Sequence, residues 1–218
     1  MSARNDILNR VRHQLGEGEA AARRARVQAT LAARIGQAQG PRPSPREDLL
    51  AEFQRRAQAL ASTVDVVSGW DQAPAALARY LAGHNLPAKG VAWPALPPLD
   101  WAGAGLEMRI GAATGDDRLG VTGCFCAIAE TGTLMLVGDG DRHGVTSLLP
   151  ETHVALVPAS SLVWGTEEGW ARLRAGRELL PRTVNFVSGP SRTGDIEQTL
   201  VLGAHGPYRV HLILLQDQ

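Results

Sequence analysis

Gly120–Gly138 reads G-V-T-G-C-F-C-A-I-A-E-T-G-T-L-M-L-V-G and sets one acidic residue, Glu130, inside an apolar run. Cys124, Phe125, Cys126, Ala127, Ile128 and Ala129 precede it, and Leu134 to Val137 follow. A carboxylate between two buried segments costs several kcal/mol unless it is paired, hydrogen-bonded or close to water. Thr131, Gly132 and Thr133 supply hydroxyls, backbone donors and a flexible hinge that meet this need. Two readings follow from the residues: a functional carboxylate, or a glutamate at a turn between two elements.

Outward from this stretch, strand-like and helix-like segments alternate. Val64–Val67, Val91–Trp93, Leu106–Ile110, His153–Val157 and Thr183–Val187 have strand composition, and Leu200–Leu202 with Tyr208–Leu215 complete a sheet. Between them, Asp71 caps a helix that ends at Gly83, and Thr166 opens another that bears Trp170 and Leu173. This alternation predicts βαβ units and a largely parallel sheet, with an α/β core over residues 63–218. Before it, residues 1–62 read as a helical extension. The first helix, over residues 2–16, carries Ile7, Leu8, Val11 and Leu15 on one face, and the second, over 19–38, carries Val27, Leu31 and Ile35. A proline-rich linker at 41–45 follows, and Ser44-Pro45-Arg46-Glu47 reads as a capping box for a third helix with Leu49, Leu50, Phe53, Ala57 and Leu60 on one face.

Composition excludes more than it selects. The 218 residues carry equal numbers of acidic and basic side chains and 44% hydrophobic residues, as a folded globular protein does. Charge is unevenly placed: residues 1–62 hold 11 Arg against 6 Asp plus Glu, and the remainder holds 11 basic against 16 acidic residues. No aromatics interleave the arginines and no reader motif appears, so nucleic acid is not the expected partner. The start M-S-A-R-N-D-I-L has no apolar core for a signal peptide, and no run is long enough to span a bilayer. A cytoplasmic setting with reduced thiols is the default expectation, with no membrane contact. Cys124 and Cys126 are too few for an iron–sulfur cluster, which normally takes four thiolates. Neither a bound cofactor nor a resident metal is therefore expected.

Further chemistry gathers near the end of the chain. Ser188-Gly189-Pro190-Ser191-Arg192-Thr193 follows a strand directly and offers three hydroxyls, a glycine for close approach and a guanidinium. In open α/β sheets ligands bind beyond the carboxyl ends of strands, and arginine grips a phosphate or carboxylate through paired hydrogen bonds. Ser188, Gly189, Ser191, Arg192 and Thr193 are therefore candidates for a small anionic ligand. The alternative is a turn whose Arg192 pairs internally with Asp195 or Glu197. His205, among glycines in G-A-H-G-P, is either a general base or the residue that orients a glycine-rich turn. Asp139, Asp141 and His143 have a metal-like spacing, which turn chemistry explains as well. The serines lie in no nucleophile elbow, and the glycines match no nucleotide fingerprint.

A-E-T-G-T-L at Ala129–Leu134, S-G-P-S-R-T-G-D-I-E at Ser188–Glu197 and T-L-V-L-G-A-H-G-P at Thr199–Pro207 together resemble the LUD domain of the lactate-utilisation protein C (LutC) family. The resemblance covers roughly the last hundred residues. It implies a three-layer α/β fold with a mostly parallel sheet, related to CoA transferases, ribose-5-phosphate isomerase and glucosamine-6-phosphate deaminase. It also implies a component of a system that oxidises L-lactate to pyruvate, with iron–sulfur subunits as partners. In the related CoA transferases a glutamate followed closely by glycine attacks the acyl-CoA carbonyl, and Glu130-Thr131-Gly132 is similar, although the intervening residue differs. Two alternatives stand beside the lactate reading: a free-standing enzyme of the CoA-transferase or sugar-phosphate-isomerase type with Glu130 catalytic, and an anion-binding regulatory module.

Overall fold

The computed structural model describes residues 3–14, 20–35, 43–176, 181–194 and 201–216, and contacts divide the chain into two units, Met1–Ser44 and Pro45–Gln218. The first unit holds α1 (Ala3–Gln14) and α2 (Ala20–Ile35). The apolar stripes expected on these helices are present but uncovered: Ile7, Leu8, Val11, Val27 and Leu31 are all exposed. Leu15 and the side chain of Ile35 lie outside the described residues.

The second unit begins with α3 (Leu49–Ala59), β1 (Thr63–Val67), α4 (Ala73–Gly83), β2 (Lys89–Ala92), β3 (Glu107–Ile110) and β4 (Leu119–Thr122). Next come β5 (Cys126–Ile128), β6 (Thr133–Gly138), β7 (Thr152–Pro158), β8 (Leu162–Val163) and α5 (Thr166–Ala175). The chain finishes with β9 (Thr183–Val187), β10 (Arg192–Thr193), β11 (Val201–Leu202) and β12 (Arg209–Leu215). Two local starts differ from the sequence reading. Asp48, not Ser44, caps α3: its carboxylate accepts from the Ala51 amide at 2.9 Å and supplies the acceptor that the first helical turn lacks. Before α4, Trp70–Gln72 forms a short 3-10 turn, so Asp71 lies inside that turn rather than at the helix cap.

The α/β class and the mostly parallel central sheet are as expected. Six strands run in the order β1-β12-β7-β4-β2-β3, and every pair is parallel. β12 explains why this sheet is buried on both faces. Val210, Leu212 and Leu214 point to one side and Ile213 and Leu215 to the other, as strand alternation requires. On one face, α4 supplies Ala73, Ala76, Leu77 and Leu81. Each large side chain taken out of water there stabilises the fold by roughly 1.5–3 kcal/mol. The other face is covered by Phe53 and Ala57 of α3 and by Ala127, Leu134 and Leu136.

Those last residues belong to a second sheet, β8-β5-β6-β9, where the sequence reading places one continuous sheet. β5 and β6 pair antiparallel, β6 and β9 antiparallel, and β5 and β8 parallel. Its far face, with Cys126, Ile128, Met135 and Val137, packs on Leu173 of α5. Helix, parallel sheet, mixed sheet and helix thus follow one another. β5 and β6 are buried at every position, because each of their faces meets another layer. As for the extension, α3 belongs with the second unit although it precedes residue 63, since Phe53 and Ala57 are fully buried in that unit's core.

Candidate functional site

Glu130 stands in the turn that joins β5 to β6. The Gly132 amide closes the turn on the Ile128 carbonyl at 2.9 Å, and the Glu130 amide donates to the Trp164 carbonyl at 2.9 Å. The Glu130 side chain is half-buried. A methyl group placed on Gly165 would come within 3.4 Å of Glu130 Oε2 and 3.3 Å of Glu167 Oε2, so these two carboxylates flank Gly165 at the start of α5. Gly132 takes φ of +67°, and a methyl group on it would lie 2.4 Å from the Ala57 amide nitrogen. Only glycine meets both demands: a left-handed backbone and contact with the last turn of α3.

The second motif seats itself on the same helix end. Gly189 has φ of +84°, and a methyl group there would stand 2.2 Å from the Leu60 carbonyl oxygen. Arg192 Nη2 donates to that carbonyl at 3.5 Å. Between the two motifs runs a chain of hydroxyls: Thr131 Oγ1 donates to Thr133 Oγ1 at 2.8 Å, and Thr133 Oγ1 bonds Ser188 Oγ at 2.7 Å. The third motif closes on the second through its backbone. The Ser191 amide donates to the Pro207 carbonyl and the Gly203 amide to the Ser191 carbonyl, each at 2.9 Å. Thr193 is buried, whereas Arg192 and His205 are exposed.

Thus the first two stretches meet at the carboxyl end of α3 and the third joins the second, the three together spanning 79 positions from Ala129 to Pro207. What the structure does not make is an ion pair between Glu130 and Arg192. None joins them among the described residues, and His205 forms neither a hydrogen bond nor an ion pair among those residues. Asp195 and Glu197, the internal partners considered for Arg192, lie outside the described residues.

An open cleft of about 440 Å³ lies where the first two motifs meet α3 and α5, lined by Leu60, Thr131, Thr133, Thr166, Trp170, Phe186 and Ser188. No charged side chain is among them. Trp170 and Phe186 form an aromatic wall, with ring centroids 5.8 Å apart and planes tilted by 55°. This cleft is not at the carboxyl ends of the parallel strands, where the sequence reading puts the Ser188 loop. The loop follows β9, which is antiparallel to β6 at the margin of the mixed sheet, so the crevice rule for parallel sheets does not reach it. At the true carboxyl end of β2, Trp93 is buried and its indole N–H donates to the His143 carbonyl at 2.8 Å.

A second cavity, about 430 Å³, opens at the amino-terminal ends of β2, β3, β4 and β7. On its rim Arg109 pairs with Asp117 and Arg118 with Glu151, while Lys89, Glu107 and Asp116 form no ion pair among the described residues. Elsewhere, the residues with metal-like spacing form a turn: the Arg142 amide donates to the Asp139 carbonyl at 2.8 Å, and Arg142 also pairs with the Asp139 carboxylate. Among the described residues no three His, Cys, Asp or Glu side chains gather to hold a metal. Cys124 bonds Ser161 Oγ at 3.4 Å and Cys126 lies 3.6 Å from Met135 Sδ. Burial pushes these thiols up to about 12 and about 11, which removes the thiolate that reactivity and ligation need.

Sequence reasoning missed the hydroxyl chain and the aromatic wall. Thr131 and Thr133 bracket the motif glycine, and Trp170 stands one helical turn after Thr166, which were the signals available. It also missed two buried histidines. His153 Nε2 bonds Thr122 Oγ1 at 2.8 Å, and His211 Nδ1 bonds Thr63 Oγ1 at 2.9 Å. The other ring nitrogen of each has no partner among the described residues.

A family model described as the LUD domain matches residues 99–215. Lactate utilization protein C 1 of Bacillus mycoides is 45% identical over 104 residues, which is 46% of this chain and 44% of that protein. Lactate utilization protein C of Bacillus licheniformis is 36% identical over 118 residues, 49% of each chain. The chain thus spans about half the length of the curated relatives it matches. A crystal structure of a DUF162 family protein from Deinococcus radiodurans is similar with a TM-score of 0.58 and 25% identity, covering 79% of this chain and 99% of that one. No helix among the described residues is long and apolar enough to cross a membrane.

Proposed function

The chain belongs to the LUD domain family, and on that footing we propose that it is a component of a lactate-utilisation system that supports oxidation of L-lactate to pyruvate. The observation that carries this reading is the meeting of the first two motif stretches at the carboxyl end of α3, where they line an open cleft, with the third joined to the second through backbone hydrogen bonds. Relatives matched over about half of this chain bear the name lactate utilization protein C. In this reading Ser188, Gly189, Ser191, Arg192 and Thr193 hold the anionic part of a small ligand, and Glu130 and His205 are the groups able to move a proton.

Electron transfer falls to iron–sulfur partner subunits in the cytoplasm. The thiols of half-buried Cys124 and buried Cys126 are both held protonated, which supports that division of labour. A strain that lacks this chain is expected to lose growth on L-lactate and to regain it when the chain is restored. Affinity capture of the tagged chain from lactate-grown cells is expected to bring down iron in proportion to co-purifying subunits. Unimpaired growth of the deletion strain on L-lactate would refute the proposal.

A further inference from the structure

We propose that the cleft at the end of α3 binds a mononucleotide-type ligand, a planar ring with a hydrogen-bond acceptor joined to an anionic arm. This deepens the proposed function and rests on it for the use of the site. Size comes first. The cleft is an open groove of about 440 Å³, more room than a three-carbon hydroxy acid fills.

The walls select a ring. Phe186 is 42% exposed on β9, a large apolar surface left to water beside the half-buried Trp170. Two aromatic faces at such an angle offer stacking to a flat ring and little to an aliphatic acid. The hydroxyls select an acceptor. Thr131, Thr133 and Ser188 carry one proton each, and the two bonds among them use two. One hydroxyl proton is left over in the chain that lines the cleft, and an acceptor on the ring edge satisfies it.

Charge then orients the ligand. The lining itself is uncharged, so the part held inside is neutral. On the α5 side the carboxylates of Glu130 and Glu167 flank Gly165 and repel an anion. On the α3 side the Arg192 guanidinium touches the carbonyl of Leu60, a lining residue, through one 3.5 Å contact. The anionic arm therefore leaves the ring past Ser188 and runs to Arg192.

The test is titration of the full chain with FMN and with AMP, set against riboflavin, adenosine and inorganic phosphate, followed by tryptophan quenching and thermal shift. At least one mononucleotide is expected to bind saturably. Phe186→Ala, at an exposed position, is expected to weaken that binding about tenfold or more. Arg192→Gln is expected to weaken the mononucleotide about tenfold while leaving its ring-only counterpart unchanged. Failure of both mononucleotides to saturate, equal affinity for phosphate alone, or binding indifferent to Phe186→Ala would overturn the inference. Loss of lactate growth in Arg192→Gln without mononucleotide binding would sink this inference and leave the proposed function standing. Mononucleotide binding with growth intact in the chain's absence would do the reverse.

Discussion

Acidification from about pH 7 to about pH 5 is expected to unload this fold through two histidines. His153 and His211 lie on opposite faces of the parallel sheet, both buried, and burial pulls each down to about 4 from 6.5. For His211, stacked on Tyr80 at 3.9 Å, the charge of Asp65 offsets this slightly and that of His84 adds to it. The folded-state pKa is depressed, so between 6.5 and 4 the unfolded chain binds protons that the folded chain refuses. Stability is complete above pH 6.5 and is lost as pH falls toward 4. For pKa values of about 4 folded and 6.5 unfolded, each histidine costs about 2 kcal/mol between pH 7 and 5, or about 4 kcal/mol together. Glu52, held at about 2 by hydrogen bonds from Arg55 and Arg56, keeps its charge throughout this window and does not blur it. Urea unfolding at both pH values measures the loss. His153→Gln keeps the nitrogen that meets Thr122, and His211→Asn the one that meets Thr63. Each variant is expected to remove about half of the pH-dependent loss. If both variants lose as much stability as the parent chain over this range, the histidines are not the cause.

Three further outcomes follow from the packing. Gly132→Ala combines a left-handed backbone with a methyl group 2.4 Å from the Ala57 nitrogen. It is expected to cost about 2–5 kcal/mol, or about 4–20 °C in melting temperature; a parent-like melt would show that the turn does not rest on α3. Both thiols are expected to resist a disulfide reagent at neutral pH until denaturant is added, because burial holds them protonated; reaction at the rate of free cysteine would contradict this. Removing residues 1–44 is expected to leave a cooperative melt, whereas removing 1–62 also strips Phe53 and Ala57 from the core and is expected to abolish it; equal melts would show that α3 is dispensable.

Much of the second unit was legible in the sequence, and the limits have physical causes. β9 has the bounds that its strand composition predicts, and the parallel sheet follows from strands interleaved with helices. The division into two sheets was not legible, because β5 and β6 are buried at every position. An unbroken apolar run has no periodicity to say which layer it joins. The capping box at Ser44 lost to Asp48 because both offer an acceptor, and local sequence does not say which one the helix uses. At the site, Gly132 and Gly189 announced special backbone, but the bond from Thr133 to Ser188 spans 55 positions and depends on the register of β6 with β9. His153 and His211 are polar residues inside apolar strands, the same signal that drew attention to Glu130.

The central claim, that the cleft formed by the family's motifs at the end of α3 is the working site, meets its most direct test in one comparison. Ser188→Ala, Arg192→Gln and Glu130→Gln would be introduced into the chromosomal copy beside Arg118→Gln at the second cavity, with melting temperatures measured on the purified proteins. Growth on L-lactate is expected to fail for the three cleft variants at unchanged melting temperature and to persist for Arg118→Gln. Normal growth of all three cleft variants, or failure of Arg118→Gln alone, would contradict the account.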